Sequence, residues 1–143
     1  MRARGEDGQT AVLIIGFAVV AVLMVAVVVD ASAAYLRRSG LDSVADGAAL
    51  AAADGIESSQ VYRGRLGARA RIDPVLARRF VADYLQQTGA AGRFPGLSYS
   101  IETGTDRVVV HVTSPLDLPL TPPGWDGDPV ISGSAASVVL VSP

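Results

Sequence analysis

The feature that most constrains this chain is an apolar stretch from Ala11 to Val29, which contains no charged side chain. At about 1.5 Å per residue, a helix over this stretch reaches roughly 28 Å, close to the hydrocarbon thickness of a bilayer. A soluble helix keeps a polar stripe at the helical period, and none can be drawn here. The stretch therefore predicts one transmembrane helix, 11–29. Two alternatives remain: a buried core helix, and a cleaved secretory signal with Ala31-Ser32-Ala33 as its cleavage site.

The rest of the chain has room for one small domain, and its composition excludes several classes of function. With 143 residues and a formal charge of -2, the protein lacks the basic surface of a nucleic-acid-binding domain, so we expect no nucleic-acid partner. The sequence has no Cys and therefore offers no disulfide, thiolate nucleophile or Cys-based metal site. A small domain stabilised by packing alone is marginal, which favours support from a partner.

The short tail before the span sets the expected topology. Arg2 and Arg4 lie on one side of the span, and Arg37 and Arg38 lie on the other, so the count of positive charges does not choose an orientation. Short tails are easily retained, whereas long domains translocate largely regardless of their charge. We therefore expect 1–10 to be a cytoplasmic tail in a single-pass protein of the cell membrane, with all later residues extracytoplasmic.

Residues 30–54 predict a continuation of the helix beyond the membrane. They are rich in Ala, contain no Pro and end at Asp54-Gly55, where Gly suits the left-handed position after a helix. Five side chains at helical spacing form one face: Leu41, Val44, Ala45, Ala48 and Ala52. Small side chains let another helix approach closely, so we expect this face to pack against a second copy or a related helix. Asp46 lies on another face and is a candidate partner contact, through an Arg of that helix.

The remaining residues predict a linker, 55–73, followed by a small module, 74–143. Asp73-Pro74 has the residue types preferred at the N-cap and first position of a helix, and Gly89 suits the end of that helix. Three stretches have the alternation or composition of strands: 97–102, 107–113 and 130–141. The predicted fold is α+β, in which the transmembrane helix continues into a long extracytoplasmic helix and is followed by one helix on about three antiparallel strands.

Nothing in the sequence predicts an enzyme or a resident cofactor. His111 is the only His, and it stands in a predicted strand without marked catalytic partners. Asp117, Asp126 and Asp128 are raw material for a Ca²⁺ site, but the ligand set is incomplete and a plain turn fits equally well, so no metal is predicted. Trp125 lies in the Pro-rich loop before the third strand, where it is either a partner contact or a cap on the small core.

Three short motifs accompany the span. They are Gly8-Gln9-Thr10-Ala11-Val12 at its start, Tyr35-Leu36-Arg37-Arg38 after it, and Ala45-Asp46-Gly47-Ala48-Ala49-Leu50-Ala51-Ala52-Ala53 further on. Together these residues resemble the N-terminal segment of TadE/TadG-like proteins, pseudopilin-like components of Flp (tight adherence) pilus assembly. Leu13 stands where pilins carry Glu at the peptidase site. The likeness is therefore closer to the TadG-like branch, whose members keep the anchor.

The resemblance implies a minor structural or assembly component of a Flp-type pilus or a related secretion apparatus. Its expected partners are the membrane, pilus or pseudopilin subunits, the pilus assembly machinery and further copies of itself. A second interpretation comes from another class of function. In it, the chain is a membrane-tethered binding module that presents the Pro-rich loop and the Arg-rich linker to cell-wall polymer or a secreted ligand.

Overall fold

One helix forms most of the N-terminal half of the chain and continues directly into a small module of helices and strands. The computed structural model describes residues 6–62, 72–120, 127 and 129–139. In chain order the elements are α1 (Glu6–Tyr62), α2 (Pro74–Gln87), α3 (Ala90–Arg93), β1 (Ser98–Thr103), β2 (Arg107–Pro115) and β3 (Val130–Val138). The predicted α+β class, with a long N-terminal helix and three antiparallel strands, is confirmed.

The first helix is longer than the sequence predicted. It has 57 residues and passes Asp54-Gly55, where we expected it to end, to reach Tyr62. Gly55 is not a helix cap, because it lies where the ring of Phe80 packs against α1. A Cβ added to Gly55 would be 2.6 Å from carbon atoms of that ring. The predicted linker therefore begins as helix, and its residues 63–71 lie outside the described part of the chain.

The second helix begins at the predicted residues. The carboxylate of Asp73 accepts a hydrogen bond of 2.9 Å from the backbone N–H of Val75, and Pro74 stands in the first turn, where its missing N–H is not needed. Three side chains four residues apart are buried: Ala77, Val81 and Leu85. Gly89 follows the helix with a φ of 63°, a left-handed conformation that Gly adopts without strain.

The three strands form an antiparallel sheet in the order β1-β2-β3, so β2 is central. Side chains alternate along β2, and Val108, Val110, Val112 and Ser114 are buried. The hydroxyl of Ser114 donates a hydrogen bond of 3.2 Å to the carbonyl oxygen of Pro95, which satisfies this polar group inside the core. The opposite face of β2, with His111 at its middle, is only half-buried.

The hydrophobic core lies between the sheet, α2 and the C-terminal half of α1. The buried residues that α1 contributes are Leu41, Val44, Ala45, Ala48, Ala49, Ala52, Ala53 and Ile56. They pack against β2 and β3 on one side and against α2 on the other. The module is therefore not built from 74–143 alone, because α1 supplies a continuous stripe of its core.

Glycines mark the places where α1 and its neighbours approach most closely. A Cβ on Gly133 of β3 would lie 2.8 Å from the backbone nitrogen of Asp42 and 2.8 Å from the carbonyl carbon of Leu41. Real Cβ atoms do not approach backbone this closely, so the two backbones are packed with no room for a side chain between them. Elsewhere on α1, Phe94 lies over Gly40, Tyr84 over Gly47 and Phe80 over Gly55.

Candidate functional site

The N-terminal part of α1 exposes an unbroken apolar surface. Large side chains such as Phe17, which is 76% exposed, point outward around the whole circumference of the helix. No residue of its most apolar part is buried within the chain. The alternative of a buried core helix is therefore wrong. Exposed apolar surface of this extent marks an interaction with a membrane or a partner. By length and composition this helix is a candidate membrane span.

The face that we expected to receive another helix is covered within the chain. Its five residues, Leu41, Val44, Ala45, Ala48 and Ala52, all belong to the hydrophobic core. They do form a packing face, but in this structure its neighbours are the sheet and α2 of the same chain. Small side chains admit a strand as closely as a helix, and Gly133 completes the fit from the opposite side. The sequence pattern alone does not distinguish a face that packs against a helix of another chain from a face that packs against a strand of the same chain.

The opposite side of α1 is open, and we call it the outward face. It consists of Leu36, Ser39, Ser43, Asp46, Leu50, Asp54 and Glu57, all exposed and at helical spacing. Leu36 is 70% exposed and Leu50 is 56% exposed. Asp46, the carboxylate predicted as a partner contact, lies between them.

Leu36 and Leu50 are exposed apolar residues that the sequence analysis did not single out. Leu36, Ser43 and Leu50 are spaced seven residues apart, the repeat along which helices pack side by side. That repeat was visible in the sequence, but the denser run of Ala on the other side of the helix concealed it. From Leu36 toward the N-terminus of α1, the outward face continues as a shallow groove lined by Val28, Ala31, Ser32, Tyr35 and Leu36. An apolar surface therefore continues from the candidate span onto the module.

A junction ties the segment after β2 to α1 just past the apolar stretch. The backbone N–H of Leu120 donates a hydrogen bond of 3.1 Å to Oδ1 of Asp30. Seven residues further along α1, Nη1 of Arg37 lies 3.9 Å from Oδ2 of Asp117. The Arg37 side chain is 22% exposed, and its Nε and Nη2 are buried without a hydrogen-bond partner among the described residues. The junction thus orders one end of the sheet against the beginning of the helical extension.

The other predicted candidates do not form a chemical site in the described part of the chain. Nε2 of His111 lies 3.9 Å from Oε1 of Glu102, and both side chains are exposed, so the pair contributes about 0–1 kcal/mol. No cluster of three or more metal-ligating side chains occurs among the described residues. Trp125, Asp126 and Asp128 lie outside them.

Residues 8–55 match a family model described as putative Flp pilus-assembly TadE/G-like. The chain carries a TadE/G-like segment. The match confirms the resemblance seen in the sequence and does not separate the TadG-like from the TadE-like branch. A comparison with curated proteins and one with solved structures give no match.

The TadE/G-like segment covers about a third of the chain and most of α1. It begins before the apolar stretch 11–29, includes the junction residues Asp30 and Arg37, and ends one residue before Ile56, the last buried residue among those of the helix whose burial is described. It therefore includes both the outward face to Asp54 and most of the core stripe. The family that this segment matches is a structural and assembly family that is not known as enzymatic.

Substitutions at Ala48 and Leu50 distinguish the two sides of the TadE/G-like helix. We expect Ala48→Phe to destabilise the module by about 3 kcal/mol or more, because a ring is forced into a filled core. Leu50→Phe adds the same ring two residues away, on the exposed side, and should leave stability nearly unchanged. Trypsin digestion of the detergent-solubilised chain measures this, since module residues such as Arg107 are cleaved faster when the fold opens. Equal resistance of both variants would contradict the intramolecular packing of Ala48.

Proposed function

We propose that this protein is a minor, pseudopilin-like structural or assembly component of a Flp pilus or a related secretion apparatus. The observation that carries the proposal is that the TadE/G-like segment is one continuous helix, apolar and fully exposed at its start and buried in a folded module at its end. Such a helix anchors the chain in the membrane through 11–29 and presents the module at the membrane surface. The proposed partners are pilus or pseudopilin subunits and the machinery that assembles them.

Because α1 is continuous, it couples the proposed anchor mechanically to the module. A helix of 57 residues is about 86 Å long, and its C-terminal half is held by the sheet on one side and by aromatic rings on another. The module and the span are therefore parts of one rod, and a displacement of one moves the other. This is the property that a subunit needs if partners pack against it inside the membrane and above it simultaneously.

We assign partner contact to the outward face. The predicted packing face is already covered in the folded chain, whereas Leu36, Ser43 and Leu50 are exposed on a seven-residue repeat. Packing of a second apolar helix along this repeat buries both Leu side chains, each worth roughly 1.5–3 kcal/mol when fully buried. Asp46 lies beside this row, where a partner's Arg can pair with it. The partner is a similar helix, either from another pilin-like subunit or from a second copy of this chain.

The proposed topology places 1–10 in the cytoplasm and the module outside it. A chain that keeps its anchor also agrees with the junction, because signal cleavage at Ala31-Ser32-Ala33 would separate Asp30 from its hydrogen-bond donor, Leu120. The alternative function, a tethered binding module, depends on the Arg-rich linker and the Pro-rich loop. The four Arg residues of that linker and residues 121–126 of that loop lie outside the described residues, and that interpretation stays a prediction.

The topology has a direct test. We expect alkaline phosphatase fused after Pro143 to be active in whole cells, because this enzyme folds only outside the cytoplasm, and we expect the same fusion at Thr10 to be inactive. Mass spectrometry of the membrane-extracted fusion reports whether residues 11–29 remain attached. An inactive fusion after Pro143 would reverse the orientation, and a mature chain beginning near Ser32 would remove the proposed anchor.

The outward face is tested by photo-crosslinking, because the chain has neither Cys nor Lys for conventional reagents. A photoreactive phenylalanine at Ser43 should capture a partner helix in producing cells, and Leu50→Asp should reduce that product several-fold by placing a charge in the interface. The matched control is Val75→Asp, since Val75 is 72% exposed on α2, away from the outward face. If Leu50→Asp and Val75→Asp give equal amounts of product from equally abundant protein, the outward face is not the contact surface.

A further inference from the structure

The hydrogen bond between Leu120 and Asp30 fixes the height of the β2–β3 connection relative to the membrane. Asp30 is the first charged residue after the apolar stretch, one helical rise of about 1.5 Å beyond Val29. Because the N–H of Leu120 is 3.1 Å from the Asp30 carboxylate, Leu120 lies at the same level. If residues 11–29 fill the hydrocarbon layer, Leu120 stands at its edge.

A second contact, between Arg37 and Asp117, gives the height of the segment further from the apolar stretch. Arg37 is seven residues beyond Asp30, about 10 Å higher along the helix axis, and its guanidinium faces Asp117. The headgroup region on each side of a bilayer is roughly 5–7 Å thick. The short segment 117–120 therefore descends through the depth of the headgroups. The backbone N–H of Leu116 donates a hydrogen bond of 2.7 Å to the carbonyl oxygen of Pro129, which closes the base of the connection above that depth.

The chemistry of this segment suits the membrane surface. Leu120 is 47% exposed, Pro119 is exposed and Leu118 is half-buried, so the lowest part of segment 117–120 is apolar and carries no charged side chain. The charged members lie on either side: Asp30 is half-buried and accepts a hydrogen bond, and Asp117 is higher and faces Arg37. An apolar side chain held at this depth is transferred from water into lipid, which is favourable, whereas the ionic groups remain paired or hydrated.

We infer that segment 117–120 is a second membrane contact, in which Leu120 inserts into the headgroup layer of the leaflet from which α1 emerges. The inference rests on the proposed anchoring through 11–29. Its occupant is the lipid surface, because the level of Leu120 follows from the end of the span. With two attachments, the module sits directly on the bilayer, and the tilt of α1 toward or away from the side that carries Leu120 is restricted.

Spin labels test the depth of the segment, and the natural absence of Cys allows single labels in the full chain. The labelled positions are Leu120→Cys in the segment, Met24→Cys in the span and Thr105→Cys in the turn at the far end of β2. The Leu120→Cys variant retains the backbone N–H that bonds Asp30. The full-length protein is reconstituted at about one copy per vesicle of phosphatidylethanolamine and phosphatidylglycerol. The collision rates of each label with oxygen, which concentrates in lipid, and with a water-soluble nickel complex report its depth.

We expect the oxygen-to-nickel ratio at Leu120→Cys to be several-fold higher than at Thr105→Cys and lower than at Met24→Cys. The inference would be overturned, with the anchor intact, if the Met24→Cys label lay in lipid but the Leu120→Cys label were as hydrated as the Thr105→Cys label. A Met24→Cys label in water would instead overturn the anchoring on which the inference rests. Shielding of Leu120→Cys from both reagents, with spin–spin broadening between copies, would assign the segment to a neighbouring subunit and also overturn the lipid contact.

A second variant tests whether Asp30 holds the segment in place. Asp30→Ala removes the acceptor for the Leu120 N–H, and we expect it to lower the oxygen-to-nickel ratio of the Leu120→Cys label several-fold toward the value at Thr105→Cys. The Met24→Cys label should not change, because the span itself is unaltered. Ser39→Ala on the outward face is the control and should leave the Leu120→Cys ratio unchanged. An unchanged ratio in Asp30→Ala would show that the hydrogen bond does not position the segment.

Discussion

The structure depends on the direct approach of one helix to one strand, where α1 passes β3 at Gly133 with no space for a side chain. Backbones packed this closely make many dispersion contacts, each small, and they exclude water from the stripe of Ala residues beside them. The unusual consequence is that the core of the module is built on the same helix that forms the candidate membrane span. Removing the helix would remove a continuous row of core residues, so the module and the span form one structural unit.

This constraint determines which surface remains for partners. The side of α1 with the smallest side chains is used inside the chain, and the rings of Phe80 and Tyr84 in α2 and of Phe94 after α3 cover its glycines. What remains is the outward face, which continues without interruption from the apolar surface below it. On the proposed anchoring, a helix that packs along this face meets the exposed Val and Phe side chains of the candidate span first, and then Leu36 and Leu50. The arrangement suits lateral packing of similar helices.

Local signals in the sequence predicted much of the fold. The candidate span was predicted from composition, the start of α2 from Asp73 and Pro74, and the first two strands from alternation, and each of these signals depends on neighbouring residues only. The end of α1 was missed because Gly55 was interpreted through its backbone freedom, whereas its role is to receive Phe80, which lies 25 residues further along the chain. The neighbour of Ala48 and the junction at Asp30 were missed for the same reason, since both depend on contacts from residues distant in the sequence.

The most direct test of the central claim is the stability of Gly133→Ala in the detergent-solubilised full chain, measured by denaturant unfolding. Gly→Ala substitutions without a steric conflict commonly stabilise a protein by about 0.4–1 kcal/mol, because they restrict the unfolded chain. If α1 lies against β3 as described, the added Cβ meets the backbone of Leu41 and Asp42, and the free energy of unfolding should fall by about 1–3 kcal/mol. Gly92→Ala, with open space around it, is the control and should not destabilise. A gain in stability for Gly133→Ala would contradict the account, because the helix could not then be packed against the strand.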